Sequence, residues 1–147
     1  MLSRAEVMGS RLSLEIANGT AGLEAGQARL TEFLSSASID PRATYQTELA
    51  FEELVTNILH YAYRDRLVGE SSIQIGVQIE DDQVILRVED DGPYFDPSQA
   101  SEIALPTELE TTTIGGFGLR LLRAAKMRIR HERVGGKNVV AVAIDRH

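Results

Sequence analysis

Alternating apolar and polar positions predict strands at five places in the chain. Leu12, Leu14 and Ile16 alternate with polar or small neighbours, and this strand ends at Asn18-Gly19. The same alternation runs through residues 73–79 and 83–89, on either side of an Asp81-Asp82 turn. Residues 127–134 and 138–144 predict a last hairpin across a Gly-Gly turn, whereas residues 1–10 give no clear signal.

Apolar positions three or four residues apart predict helices between these strands. Residues 20–36 form an amphipathic pattern, and Asp40-Pro41 is typical of a helix start that runs on to about Tyr63. A shorter helix is predicted over residues 119–126. This order predicts a single α+β domain over residues 1–147, a two-layer sandwich with a mixed, mostly antiparallel sheet and helices on one face.

Asp90 ends the strand that begins near Val84, and it falls on the apolar side of the alternation. A carboxylate that faces a core needs a partner for its charge, so this position indicates a pocket with an occupant. The alternative is that the strand ends earlier and that Asp-Asp-Gly-Pro (residues 90–93) is only a turn.

The long helix carries a polar ridge beside its apolar face. Glu53 and Asn57 lie one turn apart, and Gln46, His60 and Arg64 fall on the same arc. Such a ridge is usually the solvent side of a helix, but this mixture of side chains could also form the wall of a site.

Residues 98–114 have no sustained period, and a stretch of this kind is usually functional or mobile. Gly115, Gly116, Phe117 and Gly118 follow and lead into Leu119 at a helix start. Backbone N–H groups at such a start favour an anion, although a glycine loop alone is a weak motif.

Composition narrows the possible functions. The chain has no cysteine, which excludes disulfides and thiolate chemistry, and its three histidines, two of them close to or at the C-terminus, argue against a metal centre. A net charge of -7 argues against nucleic-acid binding. Seven basic residues lie within residues 120–137. They could form a patch that binds phosphate or an acidic partner, but such a run is more commonly a solvated face. No long apolar run is present, so we expect a cytoplasmic protein without a membrane segment.

Three separate motifs together resemble the N, G1 and G2 boxes of the GHKL ATPases. They are Glu-Glu-Leu-Val-Thr-Asn (52–57) on a helix, Asp-Asp-Gly-Pro-Tyr-Phe-Asp-Pro (90–97) after a strand, and Gly-Gly-Phe-Gly-Leu (115–119) before a helix. The His-Tyr-Ala-Tyr end of the long helix and the final hairpin resemble the anti-sigma-factor serine kinases of the RsbW type. The likeness spans nearly the whole chain from about Leu12.

This resemblance implies a role for each matching residue, with ATP and Mg²⁺ as cofactors. Asp90 would accept a hydrogen bond from adenine, Asn57 would hold Mg²⁺, and Glu53 would be the general base. Gly92 would allow close approach of the base, and Asn138 would reach the adenine region. The residues from Gly115 to Leu119 would bind phosphate, and residues 98–114 would form the ATP lid.

The resemblance also implies partners: an anti-anti-sigma protein that is phosphorylated, a sigma factor that is sequestered, and a second copy of the chain in a homodimer. Two features depart from the family pattern, namely Tyr94 in place of a second glycine and a lid with acidic but no basic residues. They favour the alternative of a nucleotide-binding partner switch without kinase activity. A histidine-kinase fragment is disfavoured, because no helical dimerisation segment precedes Leu12.

Overall fold

The computed structural model describes residues 3–97 and 127–147. Within them the chain forms six strands and two α-helices. The strands are β1 (Ser3–Met8), β2 (Arg11–Ala17), β3 (Ser72–Ile79), β4 (Gln83–Asp90), β5 (Arg128–Val134) and β6 (Lys137–Asp145). The helices are α1 (Thr20–Ser35) and α2 (Pro41–Asn57), and α2 continues into a π-helical turn over Ile58–Ala62. No helix in this described part combines the length and the apolar character needed to cross a membrane.

The strands form one sheet in the order β1-β2-β3-β4-β6-β5, and every pairing among the described strands is antiparallel. The last hairpin therefore inserts β6 directly beside β4. In this register Val88 lies opposite Val140, and Asp90 lies opposite Asn138. Two polar residues that are far apart in the sequence thus face each other at one end of neighbouring strands.

The core lies between one face of this sheet and the two helices. Alternate residues of the central strands are buried, as Leu86 and Val88 are on β4, and they pack with Phe51 and Val55 of α2. Helix α1 contacts β2 and α2, whereas α2 contacts β4 and β6. The predicted two-layer α+β arrangement is confirmed, with helices on one face of the sheet.

Helix α2 begins as the sequence predicts. The Asp40 side chain caps it by accepting a hydrogen bond from the Arg42 N–H at 2.8 Å, and Pro41 occupies the first turn. Its end differs from a regular helix, because the Tyr63 N–H donates to the Ile58 carbonyl, five residues back, at 2.8 Å. Single π-turns of this kind often occur at functional sites, and this one directly follows Asn57.

The main difference from the sequence prediction is β1, an edge strand in a segment without a clear alternating pattern. It pairs with β2 through backbone hydrogen bonds, which any non-proline residue can supply. The predicted helix over residues 119–126 and the predicted lid over residues 98–114 lie outside the described residues.

Candidate functional site

Asp90 faces the interior at the end of β4 and is only 6% exposed. Burial raises the pKa of its carboxyl, and two hydrogen bonds to Oδ1 oppose that rise. They come from the Gly92 N–H at 2.8 Å and from Asn138 Nδ2 at 3.1 Å. Both hydrogen bonds that Asp90 accepts within the described residues go to Oδ1, which leaves Oδ2 available to a ligand.

Asn138 holds the loop that follows Asp90. Its Nδ2 also donates to the Pro93 carbonyl at 2.7 Å, and its Oδ1 accepts from the Phe95 N–H at 3.1 Å. Arg133 supports the same loop by donating to the Gly92 carbonyl at 2.8 Å. The loop is therefore fixed by side chains of the last hairpin rather than by its own turn alone.

A cavity of about 160 Å³ lies between this loop and the end of the long helix. Four of the residues expected at the site share it, namely Asn57, Asp90, Tyr94 and Asn138. Apolar side chains supply most of the remaining wall, from Ile58, Tyr61, Ala62, Pro93 and Phe95. An apolar pocket with a few polar groups is typical of a site that binds a small molecule.

Gly92 lies where the loop touches the π-helical turn. A Cβ atom at this position would be 2.5 Å from Ala62 Cβ and 3.0 Å from Asp90 Oδ1. Real side chains do not approach so closely, so glycine is required for the loop to pack against the helix. The resemblance implies that Gly92 allows a base to approach closely. In the structure the lack of a side chain at Gly92 also lets the loop approach the helix.

Glu53 and Asn57 bring buried polar atoms to the same region of α2. Asn57 is 4% exposed, and neither its Oδ1 nor its Nδ2 has a hydrogen-bond partner in the described structure. Oε2 of Glu53 likewise has no hydrogen-bond partner there. The pKa of Glu53 is raised mainly by burial and to a smaller extent by the nearby charge of Glu52. Buried polar groups are nearly always satisfied in folded proteins, so these atoms indicate a ligand site.

The polar ridge predicted on the long helix divides into two parts. Asn57 is buried and lines the cavity, and Glu53 is half-buried but does not line it, whereas His60 and Arg64 are exposed. The basic residues of the last hairpin, from Arg128 to Lys137, are also exposed, which favours the interpretation of a solvated face for them. The glycine cluster Gly115, Gly116, Phe117, Gly118 and Leu119 lies outside the described residues.

A second cluster behind Asp90 was missed in the sequence. Asp91 points away from the cavity, and its Oδ1 lies 2.5 Å from Arg66 Nη1 and 3.0 Å from the Tyr63 hydroxyl. The Arg66 guanidinium, which also stacks 4.2 Å from the Tyr63 ring centre, is the main cause that lowers the Asp91 pKa. Alternation places Asp91 opposite to Asp90, but no spacing rule identifies its partners 25 and 28 residues earlier.

The donor set fits a nucleotide with a magnesium ion. Asp90 lines the apolar cavity and its Oδ2 accepts no hydrogen bond within the described residues, and the Asn57 Oδ1 atom is a neutral oxygen ligand of the type that Mg²⁺ accepts. Among the described residues no group of three or more histidine, aspartate or glutamate side chains could hold a metal by itself. Any Mg²⁺ here would therefore depend on phosphate and water for most of its ligands, which is usual for this ion.

Comparison with known proteins gives a family model and several curated relatives. The model of the histidine kinase-like ATPase domain matches residues 18–144. The serine-protein kinase RsbW of Oceanobacillus iheyensis is 33% identical over 107 residues, which are 67% of this chain and 65% of that protein. The serine/threonine-protein kinase BtrW of Bordetella bronchiseptica is 28% identical over 97 residues, 66% of this chain and 67% of that protein.

Solved structures share the fold at low identity. A chain of the SiaB-SiaC complex from Pseudomonas aeruginosa has a TM-score of 0.56 at 12% identity, covering 89% of this chain and 88% of that one. The histidine kinase domain of Erythrobacter litoralis EL346 has a TM-score of 0.54 at 19% identity, and the match covers 89% of this chain and 62% of that one. The predicted fold class and the resemblance to RsbW-type kinases are confirmed.

Proposed function

Because the chain belongs to the histidine kinase-like ATPase domain family, we propose that it is an ATP-dependent protein serine/threonine kinase that works by partner switching. In this proposal it phosphorylates an anti-anti-sigma protein and, in alternation, sequesters a sigma factor. Relatives named as serine-protein kinases support the activity and the use of ATP.

The observation that carries this proposal is the pairing of Asp90 with a cavity that also contains Asn57. A buried carboxylate with one free oxygen can accept a hydrogen bond from the amino group of adenine. The amide of Asn57, without a partner in the described structure, can then take part in binding at the phosphate end. Tyr94 lies beside the base in this arrangement.

Asn57 Oδ1 is the atom proposed to hold Mg²⁺, which would supply positive charge to offset that of the phosphates. Residues from Gly115 to Leu119 are proposed to bind the phosphates through backbone N–H groups, and residues 98–114 are proposed to cover the nucleotide. Positioning of this kind accounts for most of the catalysis of phosphoryl transfer.

Glu53 is the proposed general base. As the serine oxygen of the partner forms its bond to the γ-phosphorus, the bond from that phosphorus to the ADP oxygen breaks, and the serine proton passes to a Glu53 carboxylate oxygen. Burial raises the pKa of Glu53, and a more basic carboxylate accepts a proton more readily. Its Oε2 has no competing hydrogen bond within the described residues.

A pair of adjacent glutamates provides the test. Glu53 is half-buried, whereas its neighbour Glu52 is exposed, so Glu52→Gln is a matched control for Glu53→Gln. Purified protein is incubated with radiolabelled Mg-ATP and candidate anti-anti-sigma proteins, and phosphoserine is measured. We expect Glu53→Gln to lose about 100-fold or more in rate, as expected for a removed general base, while it retains ATP binding.

Equal rates for Glu53→Gln and Glu52→Gln would show that Glu53 is not the general base. The kinase assignment itself would be refuted if the wild-type protein formed no phosphoserine although ATP binds. In that case the second candidate gains support, a nucleotide-binding switch without phosphate transfer. The position of Tyr94 favours this candidate, because a ring that is 62% exposed stands at the cavity in place of a glycine.

We also propose that the protein acts in the cytoplasm as a homodimer and contacts no nucleic acid directly. The acidic net charge of -7 supports the last point. Light scattering on the purified chain, with and without ATP, tests the dimer, and a mass of one chain at micromolar concentration would contradict it.

A further inference from the structure

His131 on β5 contacts the residue that holds Asp90. Its Nε2 lies 3.0 Å from Asn138 Oδ1, across the last hairpin. The other contacts of Asn138 identify its two amide atoms, because the nitrogen faces three acceptors and the oxygen accepts from the Phe95 N–H. An amide oxygen can only accept, so His131 Nε2 must carry a hydrogen and donate it.

Other residues hold the imidazole in this position. The His131 side chain is 4% exposed, and Nδ1 faces Asp96 Oδ2 at 3.9 Å. The Tyr94 ring meets the imidazole edge-on, with ring centres 5.0 Å apart. The imidazole therefore contacts Asn138, which holds Asp90, and two residues of the loop after Asp90, namely Tyr94 and Asp96.

We propose that His131 is a positioning residue for adenine recognition, because it fixes the Asn138 amide that in turn aims the Asp90 carboxyl. The hydrogen from Nε2 helps to hold the Asn138 amide with its nitrogen directed at Oδ1 of Asp90, which leaves Oδ2 for the adenine amino group. Without that hydrogen the Asn138 amide loses one of the contacts that hold it, and its hydrogen bond to Asp90 is less firmly positioned. This inference rests on the proposed function, in which adenine binds against Asp90.

A comparison of ATP with purine riboside triphosphate isolates this effect. That nucleotide has a hydrogen atom where adenine has its amino group and keeps N1 as an acceptor, so it lacks only the donor to Asp90. The ratio of the two dissociation constants therefore reports the contact between the amino group and Asp90. We expect the wild-type protein to prefer ATP, and His131→Leu to lose about 5- to 10-fold of that preference, which is the effect of one hydrogen bond.

His131→Gln is the conservative variant, because its amide nitrogen can still donate to Asn138. We expect it to keep most of the preference for ATP. Glu132→Gln is the control on the same strand, since Glu132 is exposed, and its ratio should equal that of the wild type. Isothermal titration at one temperature gives all the constants, and circular dichroism verifies that each variant is folded.

Each remaining outcome decides the matter. If His131→Leu weakens both nucleotides equally, or changes neither, then His131 does not act through Asp90 and the inference is wrong. The same conclusion follows if His131→Gln loses as much of the preference for ATP as His131→Leu does. If His131→Leu does not fold, His131→Gln decides alone, and the inference is wrong if this folded variant lacks the preference for ATP. A wild-type protein that binds neither nucleotide would instead refute the proposed function itself.

Discussion

Replacing Asp90 with asparagine is the sharpest test of the proposed site. Asp90 Oδ1 accepts from the Gly92 N–H and from Asn138 Nδ2, at 2.8 and 3.1 Å. An asparagine keeps one oxygen for these two donors, but it has an NH₂ group where Asp90 has Oδ2. The amino group of adenine is also a donor, so the variant puts two donors face to face.

The expected loss follows from the hydrogen bond that is removed. A hydrogen bond to a charged group contributes about 1.5–3 kcal/mol, which corresponds to a roughly 10- to 150-fold weaker dissociation constant for ATP. The stability of the unliganded protein should not fall, because the oxygen that holds Gly92 and Asn138 remains and the buried charge is gone.

Isothermal titration with ATP and ADP measures the loss, and thermal unfolding measures the stability. Glu89→Gln is the matched control, since Glu89 precedes Asp90 on β4, lies on the other face and pairs with Lys137 at 3.3 Å. We expect this control to bind ATP like the wild type. If Asp90→Asn also binds like the wild type, no purine contacts Asp90 and the proposed site is wrong.

Two further predictions concern the same loop. Gly92→Ala brings a methyl group 2.5 Å from Ala62 Cβ, so urea unfolding should show a loss of about 1–3 kcal/mol. Adding Ala62→Gly should restore part of it, and full stability of the single variant would contradict the close contact. Because burial raises the pKa of Asp90, the folded state binds its proton more tightly than the unfolded state. The unfolding free energy of the wild type minus that of Asp90→Asn should therefore decrease as the pH rises above about 4; a constant or increasing difference would contradict this.

Sequence reasoning worked best where a local period carried the information. The alternation through Val84, Leu86 and Val88 continues to Asp90 without interruption, so its inward direction could be predicted from a single strand. The start of α2 was equally clear, because the cap at Asp40 needs only neighbouring residues. Both features depend on contacts within a few positions of the chain.

The features that were missed depend on long-range contacts or on backbone geometry alone. The partners of Asp91 are Tyr63 and Arg66, which come from the end of the long helix and the loop after it. The hydrogen bond between His131 and Asn138 requires the strand register, which no single-strand pattern provides. The π-helical turn contains one residue more than a regular turn of α-helix. The apolar positions of the sequence continue across it, so the sequence gives no sign of it.

The position of β6 in the sheet has a consequence for synthesis of the protein. Asp90 and Asn138 lie on adjacent strands, but 48 residues separate them along the chain. A ribosome therefore produces the carboxylate long before the amide that orients it, and the pocket can be completed only when the last hairpin has emerged. If nucleotide binds in this pocket as proposed, it can therefore stabilise the chain only after that moment.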